Sequence, residues 1–287
     1  MTAVKLLEDK PLGPEHFANA RSPRMYDFLL GGHDNYQCDR EAAFAVYKIA
    51  NWIKTAALIN RDFALLSVET SLALGVRQFL DLGCGFPNAP NVHEISAKTH
   101  PGCPTVYVDR DPAVYAHAQF RLDESPAQTV MHADLLATEQ LLTNKAVAAA
   151  FDLTKPVAVL LHDTLPWCHE DTATRNAMAT LRKWMPAGST LSITHLTDHW
   201  HGAIMPDVVS SYAGHGLRVR PRCREEIEEM FGDFTQQGPG LTATGRWHEQ
   251  GRYTRHPDTH SAAFAGIAVK QTPPSATGSG RNPSHQP

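Results

Sequence analysis

The feature that most constrains the fold is the stretch QFLDLGCGFP at residues 78–87. Its first half has the apolar pattern of a short buried strand, which ends in Asp81 and leads directly into a turn containing Gly83 and Gly85. Because glycine has no Cβ atom and readily adopts a positive φ, such a turn lets a ligand approach the backbone. In open α/β sheets, ligands bind beyond the carboxyl ends of the strands. The stretch therefore predicts a ligand site in an α/β fold.

Three later apolar runs have the character of strands and are also followed by acidic residues. They are residues 105–108 before Asp109, residues 129–132 before Asp134, and residues 156–161 before His162 and Asp163. Helix-like segments separate these runs, and strands that alternate with helices are typical of a parallel, doubly wound sheet with right-handed crossovers. The repetition favours a ligand site at the glycine turn over an ordinary strand-to-loop connection.

The spacing of these acids indicates an adenosine-bearing ligand. An acidic residue roughly 20 to 30 residues beyond a glycine turn is placed to accept both ribose hydroxyls, and Asp109 fits that distance. The Asp134 carboxylate can accept a hydrogen bond from the exocyclic amine of adenine, and Leu135 can pack beside the ring. The turn lacks a full G-x-G-x-x-G and a P-loop lysine, so S-adenosylmethionine is favoured over NAD or ATP.

Composition and charge exclude several other functions. The 287 residues carry a formal net charge of −4, which argues against a nucleic-acid surface, since that needs a basic stripe. No apolar run is long enough to span a bilayer and the N-terminus lacks a signal-peptide core, so a cytoplasmic protein without a membrane partner is expected. The five cysteines form no C-x-x-C pair and the 16 histidines no spaced ligand pair, so no metal site is predicted.

The sequence pattern divides the chain into three parts. Residues 1–76 carry helix signals and no strand signal, which predicts an N-terminal helical arm that caps the sheet. Residues 77–270 contain the alternation and end in two strand-like runs, at 241–247 and 262–269, that suit an antiparallel pair in a seven-stranded, mostly parallel sheet. Residues 271–287 are rich in Pro, Ser, Gly and Asn, which predicts a disordered tail.

Four motifs together resemble the S-adenosyl methyltransferase family. They are RMYDFLLGGHDNY at residues 24–36, FLDLGCG at 79–85, NVHE at 91–94 and VYVDRDP at 106–112. The signature Y-D-x-L-L-G-G-x-D-N in the first motif is far more specific than the glycine turn. The resemblance implies the class I methyltransferase fold and S-adenosylmethionine as cofactor. We also expect cofactor contacts from Asp81, Cys84 and Arg110, beside the turn glycines and the two later acids.

One loop departs from the family pattern. After the fourth predicted strand, where the family usually carries a His-Phe pair, this chain has HDTLPW at residues 162–167. The corresponding loop commonly lines the acceptor pocket in class I enzymes. A protic acceptor needs a positioned base, and His162 and Asp163 are our candidates for that role. The alternative is that one of them binds the cofactor or a neighbouring loop backbone. Trp167 is either an aromatic wall of the pocket or a core residue.

The arm supplies two further candidates, Tyr26 and Asn35. If the arm folds over the cleft, both are expected near the methionine end of the cofactor, where Tyr26 could attract the sulfonium by about 1–2 kcal/mol. The alternative is that Asn35 closes a turn through side-chain-to-backbone bonds and Tyr26 packs.

The main hypothesis is therefore a methyltransferase that uses S-adenosylmethionine and acts on a small molecule, in small-molecule or secondary metabolism. One alternative keeps the cofactor and changes the reaction, either to cyclisation into azetidine-2-carboxylate with release of methylthioadenosine or to lysis of the cofactor. Another is a cofactor-binding protein without catalytic activity, since a fold alone does not imply a function. A homodimer is left open as the assembly.

Overall fold

The computed structural model describes residues 12–122, 126–247 and 255–272. Four helices precede the first strand, and the described residues 12–76 contain no strand. These helices are α1 (Pro14–Ala18), α2 (Ser22–Leu30), α3 (Gln37–Ile49) and α4 (Ile53–Ala73). The arm therefore has the helical character predicted for it. Apart from residues 271 and 272, the predicted tail lies outside the described residues.

The family-like signature forms the junction between α2 and α3. Gly31 ends α2 with a φ of 87°, and the Gly32 N–H donates to the Asp27 carbonyl at 2.8 Å. A Cβ atom at Gly32 would overlap the Asp27 carboxylate, so this position requires glycine. Arg24, whose side chain is fully buried, forms an ion pair with Asp39 at 3.0 Å and so ties α2 to the first turn of α3.

Eight strands form one sheet. They are β1 (Phe79–Leu82), β2 (Thr105–Asp109), β3 (Gln128–His132), β4 (Ala158–His162), β5 (Thr190–Leu196), β6 (Thr235–Gln236), β7 (Thr242–Ala243) and β8 (Ala263–Val269). The order is β3-β2-β1-β4-β5-β8-β6, and β7 pairs with β8 off this path. Strands β1 to β5 are parallel to one another, and β8 runs antiparallel to β5. The predicted doubly wound, mostly parallel α/β fold is confirmed.

The C-terminal part of the sheet differs in detail from the prediction. The run at 241–247 is not one strand, because β7 is followed by a 3-10 turn at Thr244–Trp247. This turn folds the Trp247 ring inward, where its indole N–H donates to the Ala265 carbonyl at 3.0 Å and its edge meets Phe63. The short strand β6 was not predicted, and it brings the count from seven to eight.

Seven helices connect or follow the strands. They are α5 (Val92–Ala97), α6 (Pro112–Leu122), α7 (Thr138–Leu142), α8 (Lys145–Ala150), α9 (Asp171–Trp184), α10 (Met205–Gly214) and α11 (Arg224–Phe231). Among the helices of the described ranges, none combines the length and the apolar character needed to cross a bilayer.

The arm packs against the rest of the chain in two places. Helix α4 contacts β4, β5 and β8 directly, so it lies against the sheet. Helices α2 and α3 instead join α10 in a separate apolar cluster that includes Met25, Val46, Trp52, Val208 and Tyr212. Burial of apolar side chains stabilises such contacts by roughly 25 cal/mol per Å² of apolar surface. The arm is thus held over the sheet by the hydrophobic effect at both ends.

Candidate functional site

A cavity of about 430 Å³ lies at the carboxyl ends of the parallel strands. It includes the point between β1 and β4 where the strand order reverses, which is where open α/β sheets bind ligands. Eleven of the twelve residues singled out in the sequence line it. These are Tyr26, Asp81, Gly83, Cys84, Gly85, Asp109, Arg110, Asp134, Leu135, His162 and Asp163.

The glycine turn forms the floor of this cavity. Gly83 and Gly85 both have a positive φ, of 75° and 65°. A Cβ atom at Gly83 would collide with the Thr164 side chain, whereas a Cβ at Gly85 would meet nothing within 4 Å. Gly85 therefore leaves open space where a side chain would otherwise stand against a ligand. Burial raises the pKa of the Cys84 thiol well above its usual value, so this cysteine is not a thiolate nucleophile at neutral pH.

Asp109 is fixed by the backbone on both sides. Its Oδ2 atom accepts from the Gly85 N–H at 3.0 Å and its Oδ1 atom from the Asp111 N–H at 2.9 Å. A carboxylate has about four lone-pair sites, so two acceptor positions are left for a ligand. Burial raises the pKa of Asp109 to about 6, and the two backbone hydrogen bonds oppose that rise. The turn and the carboxylate thus hold one another in place.

Asp134 and Leu135 begin a short 3-10 turn after β3. The Asp134 Oδ1 atom caps this turn by accepting from the Leu136 N–H at 2.8 Å, and no bond to the Oδ2 atom is found among the described residues. Leu135 is buried with only part of its surface reaching the cavity. Arg110 lies nearby, and its guanidinium is 3.5 Å from the Trp167 carbonyl.

Arg61 and Asp81 both line the cavity, and the Arg61 charge acts on the Asp81 carboxyl. Arg61 lies on α4 and donates to the Pro90 carbonyl at 2.8 Å and to the Asn88 carbonyl. Burial raises the pKa of Asp81 to about 7, and the Arg61 guanidinium opposes this rise. The sequence reasoning missed Arg61. The available signal was the run of three polar residues at 60–62, between apolar stretches of the helix.

His162 faces the cavity from the end of β4, but its Nε2 atom is already engaged. That atom lies 2.8 Å from Ser192 Oγ and 3.3 Å from Ser67 Oγ, and the ring packs edge-on against Phe63. Burial, reinforced by the Arg61 charge, lowers the pKa of His162 to about 3. The imidazole is therefore neutral at pH 7 and only weakly basic.

Asp163 occupies an unusual backbone position. Its φ is 55°, in the left-handed region that non-glycine residues rarely adopt, although aspartate and asparagine tolerate it best. The Asp163 N–H donates to Thr194 Oγ1 at 2.8 Å. Burial raises the pKa of the Asp163 carboxyl to about 7, and an interaction with the Trp167 side chain opposes this rise. A carboxyl with this pKa can take up or release a proton near neutral pH.

A chain of hydrogen bonds connects Asp163 to the arm. Thr194 Oγ1 donates to Asn60 Oδ1 at 2.6 Å, and Asn60 Nδ2 donates to the Tyr26 hydroxyl at 2.7 Å. That hydroxyl in turn donates to the Ala57 carbonyl at 3.2 Å. Burial and the nearby Asp163 charge raise the pKa of Tyr26, so its phenol stays protonated. Sequence reasoning missed Asn60 and Thr194, which lie far apart in the chain.

A second cavity, of about 70 Å³, adjoins the first. Tyr26, Asn60, Asp163 and Trp167 line both, and the remaining wall of the second cavity is mainly apolar. The Trp167 ring meets Tyr212 edge-on, with ring centroids 5.4 Å apart. Trp167 and Asp163 therefore each border both spaces.

Asn35 is the one candidate that does not reach the cavity. Its Nδ2 atom donates to Asp27 Oδ2 at 2.8 Å and to the Gly32 carbonyl at 3.0 Å, while Arg40 donates to its Oδ1 atom at 2.9 Å. These bonds close the turn between α2 and α3. This local role matches the alternative stated above, and the expected contact with the cofactor stays a prediction.

The chain is similar to known proteins in both its family and its fold. The family model described as S-adenosyl methyltransferase matches residues 16–271. A DUF574 family protein from Streptomyces avermitilis is 29% identical, with a TM-score of 0.84 over 88% of this chain and 98% of that one. A Thermobifida fusca protein, provisionally assigned to the methyltransferases, is 31% identical, with a TM-score of 0.83 over 90% and 98%. No curated protein matches.

No group of three or more metal-ligating side chains is found in the part of the chain that the structure describes.

Proposed function

Because the chain belongs to the S-adenosyl methyltransferase family, we propose that it methylates a small molecule bound beside Asp163. The family match makes it a methyltransferase that uses S-adenosylmethionine. The observation that carries the finer proposal is the second cavity of about 70 Å³, which shares Asp163 as a lining residue with the larger one. A space of this size accepts a small ligand or one small group, and it does not admit a folded protein segment or a nucleotide.

The residues of the larger cavity fit this cofactor. Gly85 leaves space against the backbone, and Asp109 keeps two acceptor positions for the ribose hydroxyls. Asp134 has an unengaged Oδ2 atom that suits the adenine amine. At the other end, the Arg61 guanidinium complements a carboxylate and Asp81 complements an ammonium group. These charges match the zwitterionic amino-acid end of the cofactor.

When bound, S-adenosylmethionine supplies an electrophilic methyl group on a positively charged sulfur. The protein must then align an acceptor with that group and remove the acceptor's proton. Asp163 is the best base among the three candidates, because its raised pKa lies near the working pH. His162 is too weakly basic and instead supports the wall at the end of β4 through Ser192 and Ser67. Tyr26 holds Asn60 and thereby positions Asp163.

The test is mass spectrometry of the purified protein incubated with S-adenosylmethionine, alone and with a metabolite extract. S-adenosylhomocysteine that forms only with the extract supports the proposal, and the methylated mass in the extract identifies the acceptor. Methylthioadenosine formed without extract, above the spontaneous rate, would contradict methyl transfer and indicate cyclisation or lysis of the cofactor. An Asp163→Asn variant serves as the matched control, since asparagine keeps the shape and tolerates the same φ.

A further inference from the structure

The second cavity contains one carboxyl group and several aromatic rings. Asp163 is the only acidic or basic residue among the described residues that line it. The rings belong to Tyr26, Trp52, Trp167 and Tyr212. The rest of its wall is mainly aliphatic, from α2, α4, β5 and α10. A ligand in this cavity therefore meets one negative charge at its mouth and apolar surface elsewhere.

We propose that the acceptor is a small aliphatic amine whose nitrogen lies at Asp163 and whose short chain occupies the second cavity. This inference rests on the function proposed above and names the substrate class. The Asp163 carboxylate lies where the two cavities meet, so an amine bound to it faces the space assigned to the cofactor.

Charge complementarity favours an amine over other acceptors. Asp163 is half-buried, and a carboxylate partly removed from water without a cationic partner is costly; among the described residues that line the second cavity there is no arginine or lysine. An ammonium group supplies that missing charge and forms a charge-assisted hydrogen bond. Trp167 and Tyr212 also line the cavity, and aromatic rings attract a cation that lies over their faces. A carboxylate or phenolate acceptor would instead place a second negative charge beside Asp163.

The volume of the second cavity and one hydrogen-bond donor without a partner limit further which amines can bind. A cavity of about 70 Å³ is less than half of the roughly 150 Å³ that admits benzene, so it holds a short chain and not an aromatic ring. Trp52 is 7% exposed and lines this cavity, and its indole N–H has no hydrogen-bond partner among the described residues. A chain that carries an oxygen atom would provide the acceptor that this N–H lacks.

In this reaction Asp163 takes up the proton that the amine must lose. The ammonium gives one proton to the Asp163 carboxylate, which frees the nitrogen lone pair. That pair forms the new N–C bond as the S–C bond breaks, and sulfur keeps the electrons of the broken bond. The products are a methylated ammonium ion, S-adenosylhomocysteine and a protonated Asp163, which then releases its proton to solvent.

The test is calorimetric binding of four probes to the full chain saturated with S-adenosylhomocysteine. Propan-1-amine, propan-1-ol and propanoate have similar size and differ in charge, and 2-aminoethanol adds an oxygen for Trp52. We expect the two amines to bind at least tenfold more tightly than the alcohol, propanoate not to bind, and 2-aminoethanol to bind more tightly than propan-1-amine. Asp163→Asn should weaken amine binding by about 10- to 100-fold while leaving the affinity for S-adenosylhomocysteine within about twofold.

Two further measurements separate the parts of the inference. Ala56→Leu places a larger side chain in the wall of the second cavity and should abolish amine binding without loss of S-adenosylhomocysteine binding. Benzylamine should not bind. The inference is overturned if the alcohol binds as tightly as the amines, if no amine binds, or if Asp163→Asn leaves amine affinity unchanged. Extract-dependent formation of S-adenosylhomocysteine would in those cases still support methyl transfer to another small acceptor.

Discussion

The backbone N–H of Asp163 donates to the hydroxyl of Thr194 at 2.8 Å, and this bond fixes the carboxyl that lies between the two cavities. The same hydroxyl donates to Asn60 on α4 at 2.6 Å. One buried side chain on β5 therefore connects the loop after β4 with the N-terminal arm. The position of the proposed base depends on both.

Replacing Thr194 by valine should impair catalysis because Asp163 loses its position, while the affinity for the cofactor is largely kept. The substitution keeps the shape and leaves the Asp163 N–H and Asn60 Oδ1 without their shared partner, at a cost of about 1–3 kcal/mol in unfolding free energy. We expect kcat to fall at least tenfold and the affinity for S-adenosylmethionine to change by less than threefold.

Thr190→Val is the matched control on the same strand. Its hydroxyl is also buried and lies 2.9 Å from Ser71 Oγ, but Ser71 lines neither cavity, whereas the partners of Thr194, Asp163 and Asn60, line both. Urea unfolding should show a similar loss of stability, with kcat unchanged. Equal effects of the two variants on kcat would contradict a positioning role for Thr194.

Removing the carboxyl of Asp109 should weaken cofactor binding. The hydrogen bonds expected from the ribose hydroxyls are charge-assisted, and their loss in Asp109→Ala corresponds to an affinity about 10- to 100-fold lower. Isothermal titration with S-adenosylmethionine measures it. Asp207→Ala, at an exposed position on α10, is the control and should bind normally. An unaltered affinity in Asp109→Ala would refute this placement of the ribose.

The rate of methyl transfer should depend on pH through Asp163. Burial raises the pKa of this carboxyl to about 7, so the fraction in the basic, deprotonated form increases as the pH rises through 7. We expect kcat to rise between pH 6 and 8, with a midpoint near 7. In Asp163→Asn this rise should be absent. His162 has a pKa of about 3 and adds no titration in this range. A rise in kcat retained in Asp163→Asn would assign the pH dependence to another carboxyl of the larger cavity, such as Asp81, whose pKa burial also raises to about 7.

Asn35→Ala should affect stability and leave cofactor binding intact. The Asn35 side chain bonds Asp27, Gly32 and Arg40 and does not line the cavity, so its loss opens the turn between α2 and α3. The expected cost is about 1–2 kcal/mol in the free energy of unfolding, with an S-adenosylmethionine affinity within twofold of the parent. A tenfold loss of affinity with unchanged stability would restore the cofactor contact expected from the sequence.

The sequence by itself determined the sheet and the cofactor side of the site. Apolar runs, each followed by an acid, fix which residues meet at one edge, because the carboxyl ends of parallel strands lie together. Gly83, Gly85, Asp109 and Asp134 reach the large cavity for this reason, and their positions follow from local strand and turn patterns alone.

Only the tertiary structure decided which residues surround Asp163, the proposed base. Arg61, Asn60 and Thr194 come from α4 and β5, and no local pattern states that they meet Asp163, since the packing of the arm on the sheet brings them together. The same packing gives His162 and Asp163 different pKa values. Burial and the Arg61 charge make the histidine a weak base, whereas burial raises the pKa of the aspartate to about 7.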